Sequence, residues 1–338
     1  MKKKLLSLLQ YVFFLGLGVF LVWWSMRKIS EEDWSDIKSS FSNANYWVIL
    51  PVITTLLLSH LSRAMRWKIL MEPLGYKTRL SNTYMAVLVG YMANLAVPRL
   101  GEVLKCTILA RYEKVPADKL VGTIVAERAF DVICLAIIIA ITVVVQADVI
   151  GAYISGLLGS VFQSKTASLS PERIVLVVSL LVLLGLGIWF VFRKLSHISF
   201  IRKLKEILAG VWAGVISVRY LKNKKWFLIH SIFIWVMFLL SVQIGLWGLR
   251  ETAGYGLKEA LAVLSTGSIA MIIPTPGGIG VYPIFVQQTM VVYGLKESLG
   301  FASGSLMWGV QFFQMLLSGF IALALLPYLN KNTRHEKR

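Results

Sequence analysis

Six charged residues lie in stretches otherwise apolar enough to sit in a bilayer: Arg99, Glu102 and Lys105 in one run, and Glu127, Arg128 and Asp131 in another. A charge at the centre of a membrane span costs about 2.5–3.5 kcal/mol on insertion scales, so such residues either pair with one another or mark a functional site. Glu127 and Asp131 are four apart and share a helix face, and Arg128 is three residues from Asp131. The set balances formally, three cations against three carboxylates. One reading is a closed ion-pair network that fixes one helix to another. The other is a binding site in which Arg99 and Arg128 hold an anionic group while the carboxylates orient them or exchange protons. Arginine suits that role because its planar guanidinium forks onto two phosphate oxygens. The two readings are compatible.

The second chemical signal is a pair of helix breaks, Pro98-Arg99-Leu100-Gly101-Glu102 and Pro274-Thr275-Pro276-Gly277-Gly278-Ile279-Gly280. Each follows a long apolar run and precedes a shorter one, so proline and glycine stop one helix and let another begin after a tight turn. A helix that starts inside the membrane directs free N–H groups and its positive dipole end at the break. Gly101, Gly277, Gly278 and Gly280 would let backbone approach a phosphate closely, as at other anion sites of this kind. A glycine-rich turn that simply packs tightly is the plainer alternative. Weaker candidates are Gln311 and Gln314 as cavity or interhelical groups, Asn94 as a cap for broken backbone, and Arg63 and Arg66 beside Trp67 as an interfacial anchor.

Other chemistries have no support. Cys106 and Cys134 form no CxxC pattern, and His60, His197, His230 and His335 show no ligand spacing. No nucleophile–base pair or nucleotide loop is evident, so neither a metal, a cofactor nor an enzymatic activity is expected.

The elements that must position these residues follow from composition. Of 338 residues 57% are hydrophobic and only 15% charged, the mark of a polytopic membrane protein. The net charge of +18 fits cytoplasmic loops beside anionic lipid rather than nucleic acid, since no soluble basic domain carries it. Residues 5–24 form a retained first span, with no small-residue cleavage site after it. Further spans are expected at about residues 46–62, 119–146, 174–192, 226–249 and 299–329, with an outer segment at 147–172. Residues 198–221 should form an amphipathic helix on the inner leaflet. Two broken hairpins, 80–111 and 257–293, have second arms too short to cross and should dip in and return. Twenty-four Lys and Arg fall on the expected cytoplasmic side against eight outside, which places both termini in the cytoplasm of a bacterial or archaeal inner membrane. The fold class is therefore all-α, a single integral membrane domain over 1–338 with six spans and two re-entrant hairpins. Its halves, 46–146 and 226–329, share an order of elements in opposite orientation, the inverted repeat of many transporters, and 173–225 connects them.

The stretch Gly90-Tyr91-Met92-Ala93-Asn94-Leu95-Ala96-Val97-Pro98-Arg99-Leu100-Gly101-Glu102-Val103-Leu104-Lys105 resembles the lysylphosphatidylglycerol synthase transmembrane family, also described as flippase-like. Glu127-Arg128-Ala129-Phe130-Asp131, the 63–67 segment and Pro276-Gly277-Gly278-Ile279-Gly280-Val281 do so too, and the resemblance covers roughly residues 46–326. It implies a membrane fold that moves a lipid with an anionic or modified headgroup between leaflets. Two departures stand out: Tyr282-Pro283 where the family often has Glu after the glycine turn, and Lys105 where it often has Arg. No aminoacyl-transferase domain is expected after residue 338, and lysyl transfer is not expected either. The resulting expectation is translocation of an anionic phospholipid or prenyl phosphate held between the hairpin tips. The alternatives are an accessory subunit for a separate synthase or glycosyltransferase and, less favoured, a lipid-phosphate enzyme. The helical faces leave room for a homodimer.

Overall fold

A computed structural model describes residues 30–149 and 219–331, together with residues 12, 15, 16, 18–20, 22, 23 and 27 of the amino-terminal run. The expected fourth span, most of the first span, and nearly all of the outer segment and the inner-leaflet helix lie outside the described residues. Every regular element among the described residues is helical. Four helical stretches are long and apolar enough to cross a membrane: Tyr46–Leu74, Ala117–Val145, Lys224–Leu246 and Glu297–Leu329.

The acidic segment after the first run forms a helix, α1 (Glu31–Ser42). Its start is a capping box: Asp33 N–H donates to Ser30 Oγ at 3.1 Å, and Ser30 N–H donates back to the Asp33 carboxylate at 3.3 Å. Helix α2 (Ile49–Met71) extends nine residues beyond the expected end of its span at residue 62. Arg63 and Arg66 are buried in its carboxy-terminal half and do not terminate it. They are not interfacial anchors, and removing them from the cytoplasmic tally leaves its asymmetry in the same direction.

Both breaks fall where proline and glycine place them. Helix α3 (Leu80–Ala96) ends at Val97, whose backbone is extended as expected before Pro98. Helix α4 (Leu100–Glu113) then begins, 14 residues rather than the ten or so expected. Helix α5 (Ala117–Val145) follows, and α6 (Lys224–Leu246) opens the second set. Helix α7 (Leu257–Ala270) stops before the Pro274–Gly280 break, and α8 (Val281–Val292) restarts after it. Helix α9 (Glu297–Leu329) closes the described chain. The order is thus long helix, broken pair, long helix, twice over.

Packing relies on small residues, as expected where lipid removes most of the hydrophobic driving force between helices. Gly90 and Gly101 let α3 and α4 touch through backbone, and a Cβ on Gly101 would collide with the Gly90 carbonyl oxygen. At the α8–α9 contact a Cβ on Gly304 would meet the Pro283 carbonyl oxygen at 2.8 Å. Polar pins reinforce these contacts. Trp67 Nε1–H donates to Thr123 Oγ1 at 2.8 Å between α2 and α5, and the Thr142 and Ser265 hydroxyls lie 2.7 Å apart between α5 and α7. The second break is fixed from two sides. Trp308 Nε1–H on α9 donates to the Gly277 carbonyl at 2.8 Å, and a Cβ on Gly277 would stand 3.0 Å from Leu95 near the end of α3. The two breaks therefore meet.

Candidate binding site between the helix breaks

The first break aims its side chains through an unusual backbone. Arg99, the residue before α4, has φ 68°, one of two non-glycine residues with positive φ among the described residues. Such a conformation costs on the order of 1–3 kcal/mol and persists only where its surroundings hold it. Asn94 supplies part of that hold: its Oδ1 accepts the Gly101 N–H at 2.7 Å, satisfying backbone that the break leaves open. Gly101 is consequently a packing and capping position, with its N–H already engaged. In the second break Gly277, Gly278 and Gly280 have φ of 57°, 73° and 72°, in the region where a side chain is strained.

Behind the first break lies a dense ion cluster. Glu127, fully buried on α5, accepts from three helices. Arg63 Nη1 is 2.9 Å from Oε1, Lys105 Nζ is 2.9 Å from Oε2, and Arg128 Nη2 is 3.0 Å from Oε1. Arg66 Nη2 stands 3.6 Å from the same Oε1. Asp131, one turn along, takes Arg63 Nη1 at 2.6 Å and Arg66 Nη2 at 2.5 Å, with Arg128 Nη1 at 3.6 Å. Arg66 also donates to Ser231 Oγ on α6 at 3.2 Å, and Lys105 Nζ sits 4.6 Å from the Trp67 ring centroid. Burial strengthens each of these pairs and makes any single unpaired charge expensive.

The sequence set was formally balanced; this cluster is not. Arg63 and Arg66 take the places that Arg99 and Glu102 held in the sequence set. Four cations then face the two carboxylates Glu127 and Asp131. The available signal for Arg63 and Arg66 was their spacing with Ser59, His60 and Ser62. These form a polar stripe on α2, and all five are buried.

In front of the cluster is a cavity of about 470 Å³. Arg63, Arg99, Glu102, Arg128 and Asp131 line it from the first half, and Thr275, Gly277, Gly278 and Tyr282 from the second. Leu56, Leu135, Phe238, Val263 and Met307 are among the apolar residues that form the rest of its wall. Lys105, Glu127, Gly101 and Gly280 are not among its lining residues. Lys105 and Glu127 stand behind it in the cluster, and a Cβ on Gly280 would meet the Gly18 carbonyl. Gln311 lines the cavity, whereas Gln314 donates to Ser318 Oγ at 3.1 Å on its own helix.

Several groups in this wall are open. Arg99 is exposed and has no ion-pair partner among the described residues. The Arg128 side chain is 43% exposed, and its Nε has no hydrogen-bond partner among the described residues. Among the described residues one oxygen of Glu102 and the Thr275 hydroxyl likewise have none. Buried polar atoms without partners are uncommon, and where they converge on a cavity they call for water or a polar ligand.

The profile of the Lysylphosphatidylglycerol synthase TM region matches residues 8–319. The chain belongs to this family. A relative is a UPF0104 membrane protein of Methanocaldococcus jannaschii, 24% identical over 350 aligned positions, which take in 96% of this chain and 95% of the relative. No solved structure matches. Family membership and the four long apolar helices make the chain a multi-pass helical membrane protein.

Proposed function

We propose that this member of the lysylphosphatidylglycerol synthase transmembrane family translocates an anionic, phosphate-bearing lipid between leaflets. The observation that carries the reading is the composition of the cavity between the breaks. Two accessible arginines, Arg99 and Arg128, face a wall that is otherwise largely apolar. Such a wall suits an amphiphile better than a fully polar solute, with arginines for the headgroup and apolar residues beside the start of the chains. Arg63 and Asp131 border the same space, and the Glu127 and Asp131 carboxylates hold Arg128 in place.

In this reading the two broken pairs are re-entrant hairpins of an inverted repeat in an inner membrane with both termini cytoplasmic, as in transporters whose site lies at the repeat interface. A separate synthase or glycosyltransferase would then supply or consume the lipid, and a homodimer is compatible with the exposed apolar helix faces. Leaflet exchange in liposomes tests the transport reading: reconstituted protein should accelerate exchange of labelled anionic phospholipid, and the Arg99→Ala/Arg128→Ala protein should not. Unchanged exchange in the double variant would reject the site. The topology has its own test. With Cys106 and Cys134 replaced, a cysteine at Lys77, at the open end of the first broken pair, should react with membrane-impermeant maleimide from the cytoplasmic side and one at Lys258, at the open end of the second, from the outside. Labelling of both from one side would reject the inverted repeat.

A further inference from the structure

The cluster and the cavity wall carry more positive than negative charge. Among the described residues the cations are Arg63, Arg66, Arg99, Lys105 and Arg128, and the carboxylates are Glu102, Glu127 and Asp131. With His60 counted neutral and Tyr91 and Tyr282 protonated, these groups leave a formal surplus of two positive charges. In a low-dielectric interior an unmatched charge is costly, and the group that binds there most favourably is the one that cancels it.

The donors point the same way. Among the described residues Arg63 Nε, Arg128 Nε and Thr275 Oγ1 on the second break have no hydrogen-bond partner, and the exposed Arg99 has no ion-pair partner. That is more donor capacity than the two non-bridging oxygens of a phosphodiester can use. The terminal phosphate of a monoester offers three oxygens and approaches two negative charges near neutral pH.

We infer that the site selects a lipid with a dianionic terminal phosphate, a phosphomonoester or diphosphate, over a phosphodiester lipid such as phosphatidylglycerol. This rests on the translocation reading. The headgroup sits between Arg99 and Arg128, with Thr275 donating from the opposite break, so both hairpins contact the same phosphate.

The test compares three lipids in vesicles of neutral phosphatidylcholine carrying the full-length protein: labelled phosphatidic acid, a labelled polyprenyl monophosphate, and labelled phosphatidylglycerol. Protein-dependent exchange of the two monoesters is expected to exceed that of phosphatidylglycerol by about tenfold or more, a factor equivalent to about 1.4 kcal/mol. Raising the pH from 5.5 to 7.5 should increase monoester exchange about fourfold, following the dianion fraction of a phosphate whose second ionisation lies near pH 6. Arg99→Gln, which lowers the surplus by one, should remove most of the preference. Thr275→Val, nearly isosteric, should slow monoester exchange more than any exchange of phosphatidylglycerol. Size-exclusion profiles and thermal unfolding of both variants establish that they fold.

Equal exchange of all three lipids would overturn the charge-selection inference and leave the translocation reading standing. No exchange of any lipid by folded protein would overturn both. In that case, arginine-dependent stabilisation by inorganic phosphate would assign the site to free phosphate instead of a lipid headgroup.

Discussion

Replacing Glu127 by glutamine isolates what the buried cluster contributes. Glu127 is fully buried and is the acceptor shared by Arg63, Lys105 and Arg128 within 3.0 Å, with Arg66 at 3.6 Å. Glutamine keeps the size, so the packing of α5 is preserved and the change is electrostatic. It removes one of two carboxylates from among four cations and turns an amide N–H₂ toward at least one of them. Breaking a buried ion pair by deleting one partner costs about 3–5 kcal/mol, since the other charge is left without compensation. The upper part of that range is expected here, because Lys105 loses its carboxylate while Arg63 and Arg128 each lose one of two. Unfolding in mixed detergent–SDS micelles, followed by tryptophan fluorescence, measures the loss. Lys105→Met in the Glu127→Gln background removes one stranded cation and should restore about 1–3 kcal/mol. A loss under about 1 kcal/mol for Glu127→Gln, with no recovery in the double variant, would refute the claim that this cluster holds α2, α4 and α5 together.

Two further perturbations follow from the packing and the surface charges. Gly101→Ala should destabilise the fold by about 1–3 kcal/mol through collision with the Gly90 carbonyl. Gly122→Ala on α5, which meets nothing within 4 Å, should be neutral or slightly stabilising; parallel unfolding curves decide both. Helix α1 docks through Lys296, whose Nζ is 2.8 Å from Asp33 and 2.8 Å from Asp36. Hydrogen bonds from Lys296 first, and then from Ser30, hold the Asp33 carboxyl below the usual carboxylate range. A depressed carboxylate stabilises docking above its unfolded value of about 3.9, and that contribution is lost as the pH falls below it. A spin label at Ser39 should therefore keep constant mobility from pH 7 to 5 and loosen below about pH 4, while Lys296→Ala should loosen it throughout.

The sequence announced the breaks because proline and glycine are local signals, and both Pro98-Arg99 and Pro276–Gly280 fall where the helices stop. The α5 span was legible from its long apolar run, and Glu127 and Asp131 share the expected face. Asn94 was legible as a cap. Arg63 and Arg66 were not legible as cluster members. A cation that ends a span and one buried against carboxylates from another helix look alike along the chain, and only the fold brings α5 to α2. The same limit explains Lys105, which appeared to belong with Arg99 but lies behind the cavity under Trp67. Helix α1 carried a readable start in Ser30-x-x-Asp33, masked by its high charge. Thr275 gave no local signal, since its significance is a hydroxyl in a particular cavity with no hydrogen-bond partner among the described residues.

The most direct measurement of the central claim is the initial rate of leaflet exchange of a labelled anionic lipid by reconstituted protein. Wild type would be compared with Arg99→Ala, Arg128→Ala and Arg250→Ala. Arg250 is exposed and is not among the cavity-lining residues, so its loss controls for charge alone. The account expects exchange to persist with Arg250→Ala and to fall steeply with either of the other two. Equal rates in all four proteins would contradict a headgroup site between the helix breaks.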